Sequence, residues 1–370
     1  MAKNIVLCLD GTGNQLKDSG NTNIVKLYAM LDLSDPAKQV AFYDPGIGTF
    51  SAQGAWTPIA KLLSKLFGLA FGYGIKTNLA EAYLYLMQTY EPGDKVFVFG
   101  FSRGAYTARL LAGMTYRAGL LRRGCENLVP YLVAAFTKGG DMTGKDWDTL
   151  SEFTEVFGIS LVENGKRRRS LPIEFLGLFD SVKALGLLRS PRFPYTVQLP
   201  RVKNIRHAIA IDERRRPYKE YIVKLADGNE ETDLVEAWFA GVHSDVGGSF
   251  EAKGGLGGVA LKWMVDEALA SGITLRPRLY KTRLSITADD AAGPVHKNSR
   301  MWDILIPRTR PLPPAANVHD SVRLRRERVP GYLARLDPAA VRWVDGDWLE
   351  PWAPSVGAVE EEEVGANPTP

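Results

Sequence analysis

The segment that most constrains this chain is Gly100-Phe101-Ser102-Arg103-Gly104, which joins a strand-like apolar run (residues 95–101) to a helical pattern (103–118). Gly-x-Ser-x-Gly alone is short and arises often by chance. The strand before it and the helix after it give it meaning. A serine at such a sharp turn is held in a strained backbone conformation, glycines on both sides relieve the crowding, and the hydroxyl projects from the carboxyl edge of a sheet. The helix N-terminus behind it favours negative charge developing nearby. The bland alternative is a serine that merely caps the helix.

The rest of the first third has the same rhythm. Residues 4–9 form an apolar run typical of a buried strand, and Asp10-Gly11-Thr12-Gly13-Asn14 follows as a glycine-rich turn. Residues 22–33 read as a helix capped by Asn21 or Thr22. Residues 39–43 read as a strand closed by Asp44-Pro45-Gly46, and residues 75–90 as a helix stopped by Pro92-Gly93-Asp94. Strand patterns resume at 173–179, 204–211 and 234–242, with a helix near 258–270. Alternation of this kind predicts an α/β protein with a mostly parallel central sheet flanked by helices. Residues 120–171 carry helical pieces and the basic run Lys166-Arg167-Arg168-Arg169, and read as an inserted helical cap region. Residues 1–350 are expected to form a single domain, and 353–370, rich in Glu, Gly and Pro, a disordered tail. The apolar segment 56–73, with Lys61 and Lys65 four apart, reads either as an amphipathic helix on the sheet or as a mobile lid.

Composition excludes several function classes. With 46 basic and 42 acidic residues the net charge is only +4, which argues against nucleic acid as a partner. Two cysteines, Cys8 and Cys125, cannot build a disulfide framework, and a reducing compartment is expected. No signal peptide and no membrane-spanning stretch are read, so the expectation is a cytoplasmic protein, with signal-peptide-independent secretion left open. No cofactor and no metal are expected. Gly254-Gly255-Leu256-Gly257-Gly258 lacks the Lys-Ser/Thr ending of a phosphate loop. Leu9-Asp10-Gly11-Thr12 resembles the start of a haloacid-dehalogenase-type phosphatase, but Cys8 stands where the nucleophilic aspartate belongs. Asp10 is expected instead to position the oxyanion turn or the serine region through its carboxylate.

A serine nucleophile needs a base, and the base an orienting carboxylate. The four histidines are His207, His243, His296 and His319. His243 follows a strand end and is favoured; His319, in a loop after the proline-rich stretch, is the alternative. Asp180 and Asp212 both end apolar runs. Asp180 is favoured, because Asp212 sits beside Glu213 and three arginines in what reads as a salt-bridged turn. The oxyanion donors would be the backbone N–H of Arg103 and that of Gly11 or Thr12. The order Ser102, Asp180, His243 is that of the α/β-hydrolase fold, whose third to fifth strands the first third of the chain would supply, the first two being absent.

At these residues the chain resembles a bacterial and fungal α/β-hydrolase family that includes the phospholipase effectors of type VI secretion. The resemblance rests on Leu9-Asp10-Gly11-Thr12-Gly13-Asn14 with Thr22-Asn23, on Tyr43-Asp44-Pro45-Gly46-Ile47-Gly48-Thr49, and on Gly100-Phe101-Ser102-Arg103-Gly104-Ala105. It continues through Phe175-Leu176-Gly177-Leu178-Phe179-Asp180-Ser181-Val182, Arg206-His207-Ala208, Asp212-Glu213-Arg214, His243-Ser244-Asp245-Val246-Gly247-Gly248 and Val318-His319-Asp320-Ser321-Val322. It implies a serine hydrolase with Ser102, Asp180 and His243 as its triad, acting as a lipase- or phospholipase-like esterase on an ester or phospholipid substrate, with transient contact at a membrane surface. The competing expectation is a catalytically silent hydrolase-fold interaction module.

Overall fold

The apolar run Asn4–Leu9 forms strand β1, buried along nearly its whole length. Successive side chains of a strand point to opposite faces. Ile5, Leu7 and Leu9 therefore enter one hydrophobic layer, and Val6 and Cys8 the other. A strand apolar on both faces needs helices on both, which is the condition of a parallel sheet.

The structure is a computed structural model that describes residues 2–11, 20–46, 69–138, 142–163, 165–182, 193–227, 229, 231–250, 254–296, 308–334 and 336–352. After β1 come α1 (Asn23–Met30), β2 (Gln39–Asp44), α2 (Leu69–Thr89), β3 (Lys95–Phe101) and α3 (Arg103–Ala118). Next are α4 (Val129–Phe136), α5 (Gly144–Phe157), β4 (Leu161–Glu163), β5 (Lys166–Arg168), β6 (Ile173–Phe179), β7 (Val202–Ala210) and β8 (Asp233–Phe239). The remainder holds α6 (His243–Val246), α7 (Gly255–Ala270), α8 (Pro277–Arg283), α9 (Ala288–Ala292), β9 (Asn317–His319), α10 (Asp320–Arg328) and β10 (Arg342–Val344). Eight strands form one sheet in the order β10-β9-β8-β7-β6-β3-β1-β2, and each neighbouring pair is parallel. The expected α/β architecture is thus present.

Helices α2, α3 and α4 cover one face, where Leu79, Tyr83, Leu110, Met114 and Leu132 pack on Ile5, Leu7 and Val98. Helices α1 and α7 cover the other, where Leu27, Val259 and Trp263 pack on Val6, Phe97 and Phe175. Thr22 caps α1, its Oγ1 accepting from the Val25 N–H at 3.3 Å. The helix read as 22–33 is thus shorter at both ends.

The region 271–350 holds more structure than the sequence suggested. Strands β9 and β10 extend the sheet but are three residues each, too short to show a period. The segment 120–171 contains α4, α5 and the antiparallel pair β4–β5. Its contacts run along the far half of α3: Arg117 donates to Trp147 O and Ser151 Oγ, and Leu171 N–H to Thr115 O. Among the described residues no helix is long and apolar enough to cross a membrane.

Two glycines let β3 turn into α3. A Cβ at Gly104 would overlap the Leu9 carbonyl oxygen, and one at Gly100 would lie 2.5 Å from Ala105 Cα. Both obstacles are backbone and cannot rotate away. Gly104→Ala is therefore expected to lower unfolding free energy by at least about 2 kcal/mol in urea titrations. Gly144→Ala, in open space at the first turn of α5, should be neutral or stabilise by up to about 1 kcal/mol. Equal destabilisation by both would show that close approach is not what Gly104 provides.

Candidate active site

In a parallel sheet the strands end along one edge, and three of these ends build the site. Phe101 pairs with Phe179, so Ser102 and Asp180 leave the sheet side by side. The Ser102 N–H donates to Phe179 O at 3.0 Å. Ser102 has φ 57° and Asp180 φ 39°, both in the left-handed region that costs a residue with a Cβ on the order of 1 kcal/mol or more. Ser102 sits at the N-cap of α3 yet makes no side-chain capping bond. The helix-cap reading of this serine therefore fails, and its hydroxyl faces elsewhere.

It faces His243. Ser102 Oγ is 2.8 Å from His243 Nε2, and His243 Nδ1 is 2.6 Å from Asp180 Oδ2. A carboxylate can only accept, so Nδ1 carries the proton and the Nε2 lone pair meets the serine hydroxyl. The ring lies between Phe101 and Tyr218, each with its centroid 4.8 Å away. Burial pushes the imidazole below its ordinary pKa, with Asp180 pulling the other way. Neutral imidazole is the form present at pH 7.

The loop carrying His243 is braced on several sides. Gly241 takes φ 111°, where a Cβ would lie 2.5 Å from Asp245 Cβ. Asp245 Oδ2 accepts from Val242 N–H at 2.8 Å, and Asp212 Oδ2 from Gly241 N–H at 2.7 Å. The His243 N–H donates to Glu213 Oε2 at 3.2 Å, and Glu213 is paired with Arg215 at 2.7 Å.

Asp180 is fully buried. Burial alone would raise its pKa, but the Arg310 guanidinium and the His243 ring hold the carboxyl well below the usual range. Arg310 Nη1 donates to Oδ1 at 2.6 Å and Nη2 to Oδ2 at 3.0 Å; Ala210 N–H adds a bond to Oδ1 at 2.9 Å. Sequence reasoning missed Arg310. It stands in Arg308-Thr309-Arg310-Pro311, where nothing marks it from other loop arginines.

The alternatives lie elsewhere. Asp212 accepts from Gly241 N–H and from the Tyr332 hydroxyl at 2.9 Å, bracing the His243 turn rather than meeting its ring. His319 is buried against Phe239, with Nδ1 2.8 Å from Ser321 Oγ and Nε2 2.9 Å from Asp345 Oδ2. His207 accepts the Ser181 N–H on Nε2 at 3.1 Å and donates Nδ1–H to Glu236 at 2.8 Å. His296 bonds Asp245 at 2.6 Å.

The oxyanion donors need one correction. The Gly11 N–H donates to Asp10 Oδ1 at 2.6 Å and is removed from the expected pair. Asp10 is a buried carboxylate that also accepts from Thr22 Oγ1 at 2.6 Å and the Tyr43 hydroxyl at 3.0 Å, so it takes the nearest donor. Of the two roles expected of Asp10, these bonds are those of a brace on its own turn. Gly11 still backs onto Ser102: a Cβ there would lie 3.4 Å from Ser102 Cβ. Thr12 lies outside the described residues, as do residues 56–68 of the proposed lid; residues 69–73 open α2. The Arg103 side chain is largely buried, and burial lowers its pKa to about 10. Among the described residues no group of three or more His, Cys, Asp or Glu side chains could hold a metal ion.

The chain resembles several known proteins. An uncharacterized protein of Saccharomyces cerevisiae, YEL023C, is 37% identical over 239 residues, covering 60% of this chain and 34% of that protein. The chain thus spans about a third of that relative's length. Among solved structures, an uncharacterized protein from Pseudomonas aeruginosa superposes with a TM-score of 0.43 at 20% identity, over 77% of this chain and 49% of that one. The Tle1 effector bound to the VgrG spike of the type 6 secretion system superposes with a TM-score of 0.36 at 18% identity, over 68% and 51%. The family model described as T6SS phospholipase effector Tle1-like, catalytic domain, matches residues 3–267, a span that holds Ser102, Asp180 and His243. On the extent of that match, the chain belongs to the Tle1-like family of type VI secretion phospholipase effector catalytic domains.

Proposed function

We propose that this chain is a serine hydrolase that cleaves carboxylic ester bonds of phospholipids. The observation that carries the reading is the hydrogen-bonded series Ser102 Oγ, His243 Nε2, His243 Nδ1 and Asp180 Oδ2, at 2.8 and 2.6 Å, gathered at three strand ends. The family supports lipid as the substrate class.

In this mechanism Ser102 Oγ attacks the ester carbonyl carbon while its proton passes to His243 Nε2. Asp180 holds the ring and offsets the imidazolium charge. The tetrahedral oxyanion forms at the N-terminus of α3, where the Arg103 N–H would stabilise it. The carbon–oxygen bond to the leaving alcohol breaks as His243 returns the proton to that oxygen. Water then attacks the acyl-Ser102 ester with His243 again as base, releasing the fatty acid and restoring the hydroxyl. A silent interaction module would not require a serine in a strained turn aimed at a correctly oriented imidazole.

Ser102→Ala and His243→Ala should each lower kcat by at least about 10⁴-fold on a short-chain ester and on phospholipid vesicles, since members of a triad act as a unit. Asp180→Asn should cost about 10⁴-fold through the wrong imidazole tautomer. Asp212→Asn should cost much less. Thermal melts accompany each assay. A folded Ser102→Ala protein that keeps full activity would end the serine-hydrolase reading, and a folded, inactive Asp212→Asn beside an active Asp180→Asn would reverse the assignment of the acid.

The direction of the His243 shift gives a pH dependence. Protonated imidazole cannot accept the serine proton, so kcat/KM falls as pH drops through the His243 pKa. Because that pKa lies below the ordinary histidine value of ~6.5, kcat/KM should be on its plateau at pH 7, with the acid limb below about 6.5. A limb centred at 7 or above would contradict the burial argument.

A further inference from the structure

Asp180 has room for about four accepted hydrogen bonds, and all are filled: Ala210 N–H and Arg310 Nη1 on Oδ1, His243 Nδ1 and Arg310 Nη2 on Oδ2. Arg310 is itself buried. Its Nη1 also donates to Ala210 O at 2.9 Å, its Nη2 to Tyr218 O, and its Nε lies 3.6 Å from Glu220 Oε2. The residue is therefore locked from both ends. It grips the acid, the end of β7, and the Tyr218 segment whose ring packs on His243. The family match ends at residue 267, so this contact reaches the triad from chain beyond the matched span.

We propose that Arg310 is a positioning residue of the reaction, a fourth member behind the triad that fixes the Asp180 carboxylate and sets the basicity of His243. Two consequences follow from the geometry, and both rest on the triad reading. A bidentate guanidinium defines the plane of the carboxylate, so Oδ2 stays in line with Nδ1 and the imidazole cannot swing away from Ser102. The positive charge also offsets part of the Asp180 charge, so the imidazolium is less stabilised than beside an isolated aspartate. Arg310 thus keeps His243 neutral at the cost of some base strength.

Other charges near His243 come from each packed element. Glu213 and Arg215 sit on the turn after β7, Asp180 follows β6, and Arg103 lies beside Tyr218. Glu213 and Arg215 neutralise one another at 2.7 Å, and Glu220 faces Arg310 rather than the ring. Arg310 is the cation bonded directly to the carboxylate that His243 uses.

The test is the pH dependence of fluorophosphonate labelling of Ser102, together with kcat and KM on a soluble ester, in wild type, Arg310→Met and Arg310→Lys. Wild type must label; if it does not, the serine-hydrolase reading fails and not this inference. Given labelling, Arg310→Met should lower kcat by about 10- to 100-fold with KM nearly unchanged, and move the acid limb up by about half a pH unit or more. Arg310→Lys, which keeps the charge but loses the fork, should hold the limb near its wild-type pH and lose part of kcat. A folded Arg310→Met protein with wild-type kcat and limb would overturn the proposal. If Arg310→Met does not fold, Arg310→Lys decides: wild-type kcat in that variant overturns the role of the fork, and reduced kcat at unchanged KM supports it.

Discussion

The Asp180 carboxylate is the constraint around which the site is organised. It is fully buried and carries its charge there, which is tolerable only if every oxygen lone pair is met and opposite charge is close. The protein meets that demand with groups from three places: a backbone N–H at the end of β7, the imidazole that follows β8, and a guanidinium from the loop before β9. Each partner is thereby fixed relative to the others. Removing one partner of a buried pair leaves a charge uncompensated, typically a loss of about 3–5 kcal/mol. The carboxylate that meets the His243 ring therefore also ties the late part of the chain to the sheet.

Strain enters the same edge on purpose. Ser102 and Asp180 both occupy positive φ without being glycine, and each follows a buried strand that pairs with the other's. Regular backbone at Ser102 would send its hydroxyl into the first turn of α3. The strained turn leaves it facing His243. Packing around the turn is tight enough to enforce this: Gly104 lies against the Leu9 carbonyl, and Gly247 against the Phe101 ring.

Much of this was legible in the sequence because one physical rule governed it. Strands buried on both faces appear as unbroken apolar runs, and β1, β3 and β6 were bounded closely for that reason. The polar residue ending a run lies at the carboxyl edge by the geometry of a parallel sheet, so the runs already placed Asp180 and His243 at that edge, although β8 stops at Phe239 and His243 opens the following helix. Arg310 was not legible, since its role depends on a loop folding back over the strand ends, and no local pattern encodes that. Strands β9 and β10 were too short to show alternation. His319 looked like a rival base because it follows the proline-rich stretch in what reads as a loop, but it ends strand β9, where Phe239, Ser321 and Asp345 absorb its ring face and both its nitrogens. The Gly11 donor failed because a buried carboxylate one residue away competes for the same N–H.

In the proposed reaction Ser102 becomes covalently acylated. Rapid quenching of the protein during turnover of a phospholipid with an isotopically labelled acyl chain, followed by peptide mapping, measures this directly. The acyl mass should appear on the peptide containing Ser102 and be absent when Ser102 is alanine. Fatty acid released at the wild-type rate with no acyl group on Ser102 at any quench time would contradict it.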